Sequence, residues 1–122
     1  MPLPRRRLLF SHAAHNVGAG AGGTYQTGIA LLNPFDVPVP FTMKVFDGDG
    51  VQVAETTATL RAREQAARIL SHPVQGAGFF TQPLRLGQGH VEVTTEYGLL
   101  GFELFYKEDF SQLSSVPAQD GR

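Results

Sequence analysis

Several residues in the 122-residue chain have the types that chemistry uses. Ser11 precedes His12, His15 follows at an x-x spacing, and His72 and His90 lie farther along. A hydroxyl beside an imidazole is the raw material of nucleophilic catalysis, and paired neutral imidazoles are zinc ligands. Neither chemistry is completed by the pattern. On a strand, side chains one or three residues apart point to opposite faces, so Ser11 diverges from His12 and His12 from His15. The chain has no cysteine, no Gly-x-Ser-x-Gly elbow and no His-Glu-x-x-His pattern. Ser71 beside His72, and Ser111, are no better placed. The reading is of a chain that is not an enzyme and carries no metal or cofactor.

Asp47-Gly48-Asp49-Gly50 places carboxylates at alternate positions, as a calcium loop does. The bidentate acid that would close an EF-hand loop is absent, because position 58 is Ala. Asp-Gly between two alternating apolar runs is instead a hairpin turn. Residues 18–23 read Gly-Ala-Gly-Ala-Gly-Gly, but a phosphate-binding loop follows a strand and opens a helix, whereas here a strand comes next. A surface loop is expected. Arg61, Arg63 and Arg68 form a candidate anion patch, with Arg5, Arg6 and Arg7 nearby in type but not in sequence. Tyr25, Tyr97 and Tyr106 are candidate ligand aromatics, in a chain that lacks Trp, the best sugar platform.

Ten basic and eleven acidic residues leave a net charge of −1, so no global field attracts nucleic acid or an anionic membrane. Nucleic acid is disfavoured further because Phe and Tyr fall mainly on expected core positions and do not interleave with the arginines. The run after Arg5–Arg7 is too short for a secretory h-region, and no apolar run approaches the roughly 18 residues of a membrane helix. No membrane insertion is expected. Charged residues make up only 17% of the chain while Phe occurs nine times, a balance that points to apolar surface covered by another subunit or module.

Gly and Pro punctuate the chain about every ten residues, the spacing of turns between short strands. Tyr25, Thr27, Ile29 and Leu31 alternate with Gln26, Gly28, Ala30 and Leu32 before Asn33-Pro34 ends the run, which predicts a strand with one buried face. Residues 40–60 predict a hairpin whose second arm changes phase, with a β-bulge near Glu55. Arg61 to Glu64 is a polar corner, a short strand follows through Ala67 and Ile69, and 71–83 is a long connection. His90 to Thr95 and Leu99 to Tyr106 predict a second hairpin around Tyr97-Gly98, with Leu100, Phe102 and Leu104 on one face and Glu103 on the other. With an opening strand at Leu8 to His12 this predicts an all-β fold, an immunoglobulin-like antiparallel β-sandwich of about seven strands. The domain spans 8–113, between a basic arm at 1–7 and a polar tail at 114–122.

Phe10-Ser11-His12, Thr27-Gly28-Ile29-Ala30 running into Asn33-Pro34, Phe46-Asp47-Gly48-Asp49-Gly50, Gly101-Phe102-Glu103-Leu104-Phe105 and Ser111-Gln112-Leu113 together resemble a bacterial β-sandwich module found as tandem copies in secreted or surface proteins. The likeness covers Leu8 to Pro117. It implies an extracellular or cell-surface setting, with a cytoplasmic one as the alternative. The strand ending in Leu32-Asn33, the hairpin, the basic corner Arg61 to Arg63 and the two closing strands also resemble the sensory rhodopsin transducer family, which implies a β-sandwich that self-associates as a homotetramer. Neither resemblance carries a catalytic site.

The function expected is a non-catalytic module for self-assembly or protein–protein contact, with Phe79 and Phe80, or Phe105 and Phe110, as the candidate interface. The partner is a further copy, a neighbouring module or another protein. The alternative is a ligand-binding module for a carbohydrate or small molecule, or a soluble homo-oligomeric transducer-like protein.

Overall fold

The computed structural model describes the backbone of residues 4–15, 17–18, 24–71, 78–82, 84, 86–107, 113–117 and 119–120, and the side chains of 4–10, 27–71, 78–82, 84 and 89–103. The described residues are all-β, in the order β1 (Arg5–His15), β2 (Val17–Gly18), β3 (Thr24–Leu32), β4 (Val39–Asp47), β5 (Gln52–Leu60), β6 (Gln65–Ser71), β7 (Gly78–Phe80), β8 (Leu86–Lys107), β9 (Leu113–Pro117) and β10 (Gln119–Asp120). Residues 5–7 of the expected basic arm thus enter β1, and residues of the expected polar tail contribute most of β9 and all of β10.

The strands form one continuous sheet that curls into a nearly closed, barrel-like shape, in place of the two separate sheets of the expected immunoglobulin-like sandwich. The reason lies in β8. The expected hairpin around Tyr97-Gly98 does not form, and residues 86–107 run on as one 22-residue strand. Its first half pairs with β1 on one side and β4 on the other. Its second half pairs with β3 and β9. Two half-sheets, β5-β4-β8-β1-β10 and β9-β8-β3-β6-β7, therefore share a strand and cannot separate.

The strand turns the corner at a wide bulge. Arg7 pairs with Thr94 but Arg5 pairs with Leu99, so residues 95–98 are looped out against a single residue of β1. Gly98 takes φ +113° there, a conformation that side-chain-bearing residues rarely adopt, and packs against Pro4. A Tyr-Gly pair lacks the Asn or Asp that favours a two-residue hairpin turn, so Gly98 bends the strand without reversing it.

The hairpin at 40–60 forms as expected. The Asp47 carbonyl accepts from Gly50 N at 3.0 Å, Asp47 N donates to the Val51 carbonyl at 2.9 Å, and Gly50 takes φ +80°. The Asp47 carboxylate accepts from the backbone of Asp49 and Val51 at 2.9 and 3.0 Å, so it holds its own turn. The bulge predicted near Glu55 sits at Val53: Val45 pairs with Ala54 and Phe46 with Gln52, leaving Val53 unopposed.

Period-two alternation then fills the interior with Leu8 and Phe10 from β1, Ile29 and Leu31 from β3, Val39, Phe41, Met43 and Val45 from β4, and Val91, Val93 and Leu99 from β8. The half-sheets meet most closely at Gly101, where a methyl group would lie 2.9 Å from Phe10 Cζ, 3.1 Å from Leu8 Cδ1 and 3.3 Å from Leu31 Cδ2. Any larger residue here would have to push these core side chains aside.

Asn33, fully buried at the end of β3, ties the β3–β4 loop to the β5–β6 corner. Its Nδ2 donates to the carbonyls of Val37 (2.8 Å), Arg61 (3.0 Å) and Leu60 (3.3 Å), and its Oδ1 accepts from Phe35 N at 2.9 Å. Asn33 N donates to Glu64 O, and Arg63 N to Phe35 O. These bonds hold Arg63 in the left-handed region at φ 61°. Replacing Asn33 by Ala strands several buried backbone groups at once, and we expect a loss of about 2–4 kcal/mol in urea unfolding. Asn33→Asp, which keeps the acceptor and loses the donor, is expected to rescue little of it.

Candidate functional site

The same alternation decides which residues of β8 face out. Leu99, Gly101 and Glu103 point into the barrel, so Leu100 and Phe102 point outward, and Phe102 is 42% exposed. In register across the half-sheet, Phe102 is beside Ala30, and Ala30 is beside Ala67. Leu100 is beside Leu32, and Ile69 beside Gly28. The middle of the outer face of β6, β3 and the second half of β8 is therefore apolar from strand to strand, with Gln65 and Ser71 at the two ends of β6, and among its described side chains none is charged.

The outer face of the other half-sheet is built oppositely. Arg7 donates to Glu92 at 2.7 Å, Lys44 lies 3.8 Å from Glu55, Thr42 and Thr57 share a hydroxyl hydrogen bond at 3.3 Å, and the Phe46 and His90 rings stack at 4.6 Å. Beside it runs an open groove of about 410 Å³ lined by Pro40, Phe41, Thr42, Thr94, Thr95 and Glu96.

Of the candidate interface residues, Phe79 and Phe80 do not form an exposed patch. Phe80 is 5% exposed and belongs to the core, on β7, which pairs in parallel with β6 at the end of the sheet. Phe79 is partly buried against the same core, with the Arg68 guanidinium 5.7 Å above its ring. The side chains of Phe105 and Phe110 lie outside the described residues. Phe102, 42% exposed, is the exposed phenylalanine among the described side chains.

The candidate anion patch is divided among partners. Arg63 Nε donates to Asp36 at 2.8 Å, a bond that lowers the Asp36 pKa, and Arg61 lies 3.7 Å from Glu64. Arg68 stands apart over Phe79. The tyrosines do not make one platform either. In register Tyr25 lies opposite Lys107 and Tyr106 opposite Gln26, so the two are not paired, while Tyr97, 54% exposed, stands at the bulge, nine residues from Tyr106 and so roughly 30 Å along the strand. The side chains of Ser11, His12, His15, His72 and Ser111 lie outside the described residues, as do residues 19–23 of the glycine-rich run. Among the described residues no group of three His, Asp or Glu is placed to hold a metal ion.

Glu103, unnoticed in the sequence except as the odd face of its strand, is 4% exposed and paired in register with Ile29 and Val116. Its Oε2 has no hydrogen-bond partner among the described residues. Burial pushes its carboxyl up from 4.5 to about 7.

No protein-family model matches the chain, and no curated protein does. Among solved structures, Thermotoga maritima 1070 superposes with a TM-score of 0.69 at 10% identity, over 96% of this chain and 95% of that one. The Anabaena sensory rhodopsin transducer superposes at 0.59 with 13% identity, over 83% of this chain and 97% of that one. At such identities the likeness is one of fold: a distant, transducer-like β-fold.

A carboxyl whose pKa is raised on folding binds its proton more tightly in the native state, so Glu103 stabilises the fold most below its unfolded value and loses that contribution as pH rises from about 4.5 to about 7. The shift corresponds to roughly 3 kcal/mol. We expect Glu103→Gln to flatten stability across that window and to exceed the wild type above pH 7, as read by urea unfolding at a series of pH values.

Proposed function

We propose that this chain is a non-catalytic β module that works by protein–protein contact, in the first place with further copies of itself, through the apolar outer face of β6, β3 and the second half of β8. One observation carries the reading: an unbroken apolar row, Ala67, Ala30 and Phe102, flanked by Leu32, Leu100 and Ile69, lies on the outside of the barrel and not within it. Soluble domains rarely leave a contiguous apolar strand surface of this kind in water, and such surfaces mark interaction sites. An aromatic ring rising from a low platform of Ala and Leu is also the usual shape of an interface anchor. The outer face of the first half-sheet, with its ion pairs and threonines, serves as the solvated side.

The fold is shared with a protein named a sensory rhodopsin transducer, and a soluble transducer-like protein is one setting in which such a face would serve. The extracellular tandem module is the alternative setting for the same face, with neighbouring modules as its partners. A ligand-binding role rests on the groove lined by Thr42, Thr94, Thr95 and Glu96, whose hydroxyls and carboxylate suit a sugar or other polyol.

Light scattering after size exclusion tests the proposal. The wild-type chain is expected to run above its 13.2 kDa monomer mass. Phe102→Glu is expected to weaken association about 30-fold or more, the effect of losing an anchor worth roughly 2 kcal/mol, while thermal unfolding stays cooperative. A wild-type monomer at every concentration up to 100 µM (roughly the weakest association the proposal requires) would sink it.

A further inference from the structure

β5 is the last strand of the first half-sheet. Among the described strands it pairs only with β4. The direction of its backbone groups follows from the hairpin. Asp47 N donates across to Val51, so the odd residues of β4 turn their backbone groups toward β5, and their partners Ala54, Thr56, Ala58 and Leu60 turn theirs back. Glu55, Thr57 and Thr59 consequently direct their N–H and C=O groups away from the sheet, and all three are exposed.

Natural edges are protected by lysine, proline or bulges. The segment 54–60, Ala-Glu-Thr-Thr-Ala-Thr-Leu, has neither lysine nor proline, and its one bulge lies outside it at Val53. We infer that this edge of β5, open among the described residues, is a strand-pairing site whose occupant is β5 of a second copy of this chain, joined antiparallel about a two-fold axis at Thr57.

Self-complementarity selects that occupant. With Thr57 opposite Thr57, Glu55 falls opposite Thr59 in both directions, so the only charged residue in the segment never meets its own copy. The three outward-facing residues become hydrogen-bonded pairs, giving six inter-chain backbone bonds. On the same register Ala54 meets Leu60 and Thr56 meets Ala58, small against large on the interior face. On the outer face the row Thr94, Thr42, Thr57 continues into Thr57, Thr42, Thr94 of the second copy, and cross-strand threonine pairs are favourable neighbours. This edge is separate from the Phe102 face, and the two contacts stand or fall independently.

The absence of cysteine makes the test direct. Opposed Cα atoms in a hydrogen-bonded antiparallel pair lie about 5.5 Å apart, within disulfide range. Purified full-length Thr57→Cys is expected to cross-link to a covalent dimer under mild oxidation at least ten times faster than Asp49→Cys at the hairpin tip. The double variant Thr57→Cys, Phe102→Glu is expected to cross-link as fast as Thr57→Cys. Thr57→Lys, which sets two ammonium groups face to face, is expected to halve the particle mass with unchanged thermal unfolding. Cross-linking of Thr57→Cys no faster than Asp49→Cys, or an unchanged mass for Thr57→Lys, would overturn the inference. Loss of cross-linking only in the Phe102→Glu background would overturn the independence of the two contacts.

Discussion

The register of β8 is the constraint on which the rest of the molecule depends. Residues 89–95 must satisfy β1 and β4 together, and residues 100–107 must satisfy β3 and β9. Side chains alternate with a period of two, so a slip by one residue would turn Val91, Val93 and Leu99 outward in a single step. Two glycines fix the strand where its neighbours come closest. At Gly89 a methyl group would lie 2.3 Å from the backbone oxygen of Phe46, and at Gly101 it would enter the packing of Phe10, Leu8 and Leu31. Gly98 supplies the bend between these points, which is why one strand can wall both halves of the barrel.

That register also produces the two least comfortable residues in the fold. With Leu99 and Gly101 inside, Glu103 has to follow them and Phe102 has to stay out. The interior thus acquires a carboxyl with no partner for one oxygen among the described residues, and the exterior a phenyl ring. Asn33 shows how a buried polar group is accommodated when every bond is made: its amide joins three carbonyls and a backbone N–H and so closes two loops. Glu103 has no such network among the described residues, and the fold tolerates it by favouring the neutral acid. Both faces of one dipeptide therefore depart from the usual partition of polar and apolar groups, which is the kind of local departure that accompanies function.

Much of the fold was legible in the chain, and the parts that were not have definite causes. Tyr25 to Leu32 and the 40–60 hairpin follow from strict alternation and from Asp-Gly chemistry, signals that are local. The 22-residue β8 was not legible, because Tyr97-Gly98 looks the same in sequence whether the chain reverses or bends, and only pairing with Arg5 and Arg7 decides between them. The inward side of β8 was likewise ambiguous. Leu100, Phe102 and Leu104 are more apolar than Gly101 and Glu103, so hydropathy alone sends the wrong face inward. The glycine at 101 was the available clue, since a glycine flanked by large apolar residues marks a close approach. The arginines at 61, 63 and 68 look like one patch in sequence. They are three separate contacts because the corner turns between them.

The charge economy of the chain follows from the same geometry. On the first half-sheet Arg7 meets Glu92 and Lys44 meets Glu55, and at the corner Arg63 meets Asp36 and Arg61 meets Glu64. These pairs lie at or near the surface, contribute little stability individually and cancel one another's fields within a Debye length. With a net charge of −1 and these pairs among the described residues, the chain offers little long-range field to steer a partner. On the proposed reading, recognition draws on short-range terms: the shape of the apolar outer face and the backbone groups of the β5 edge, which among the described strands pairs only with β4.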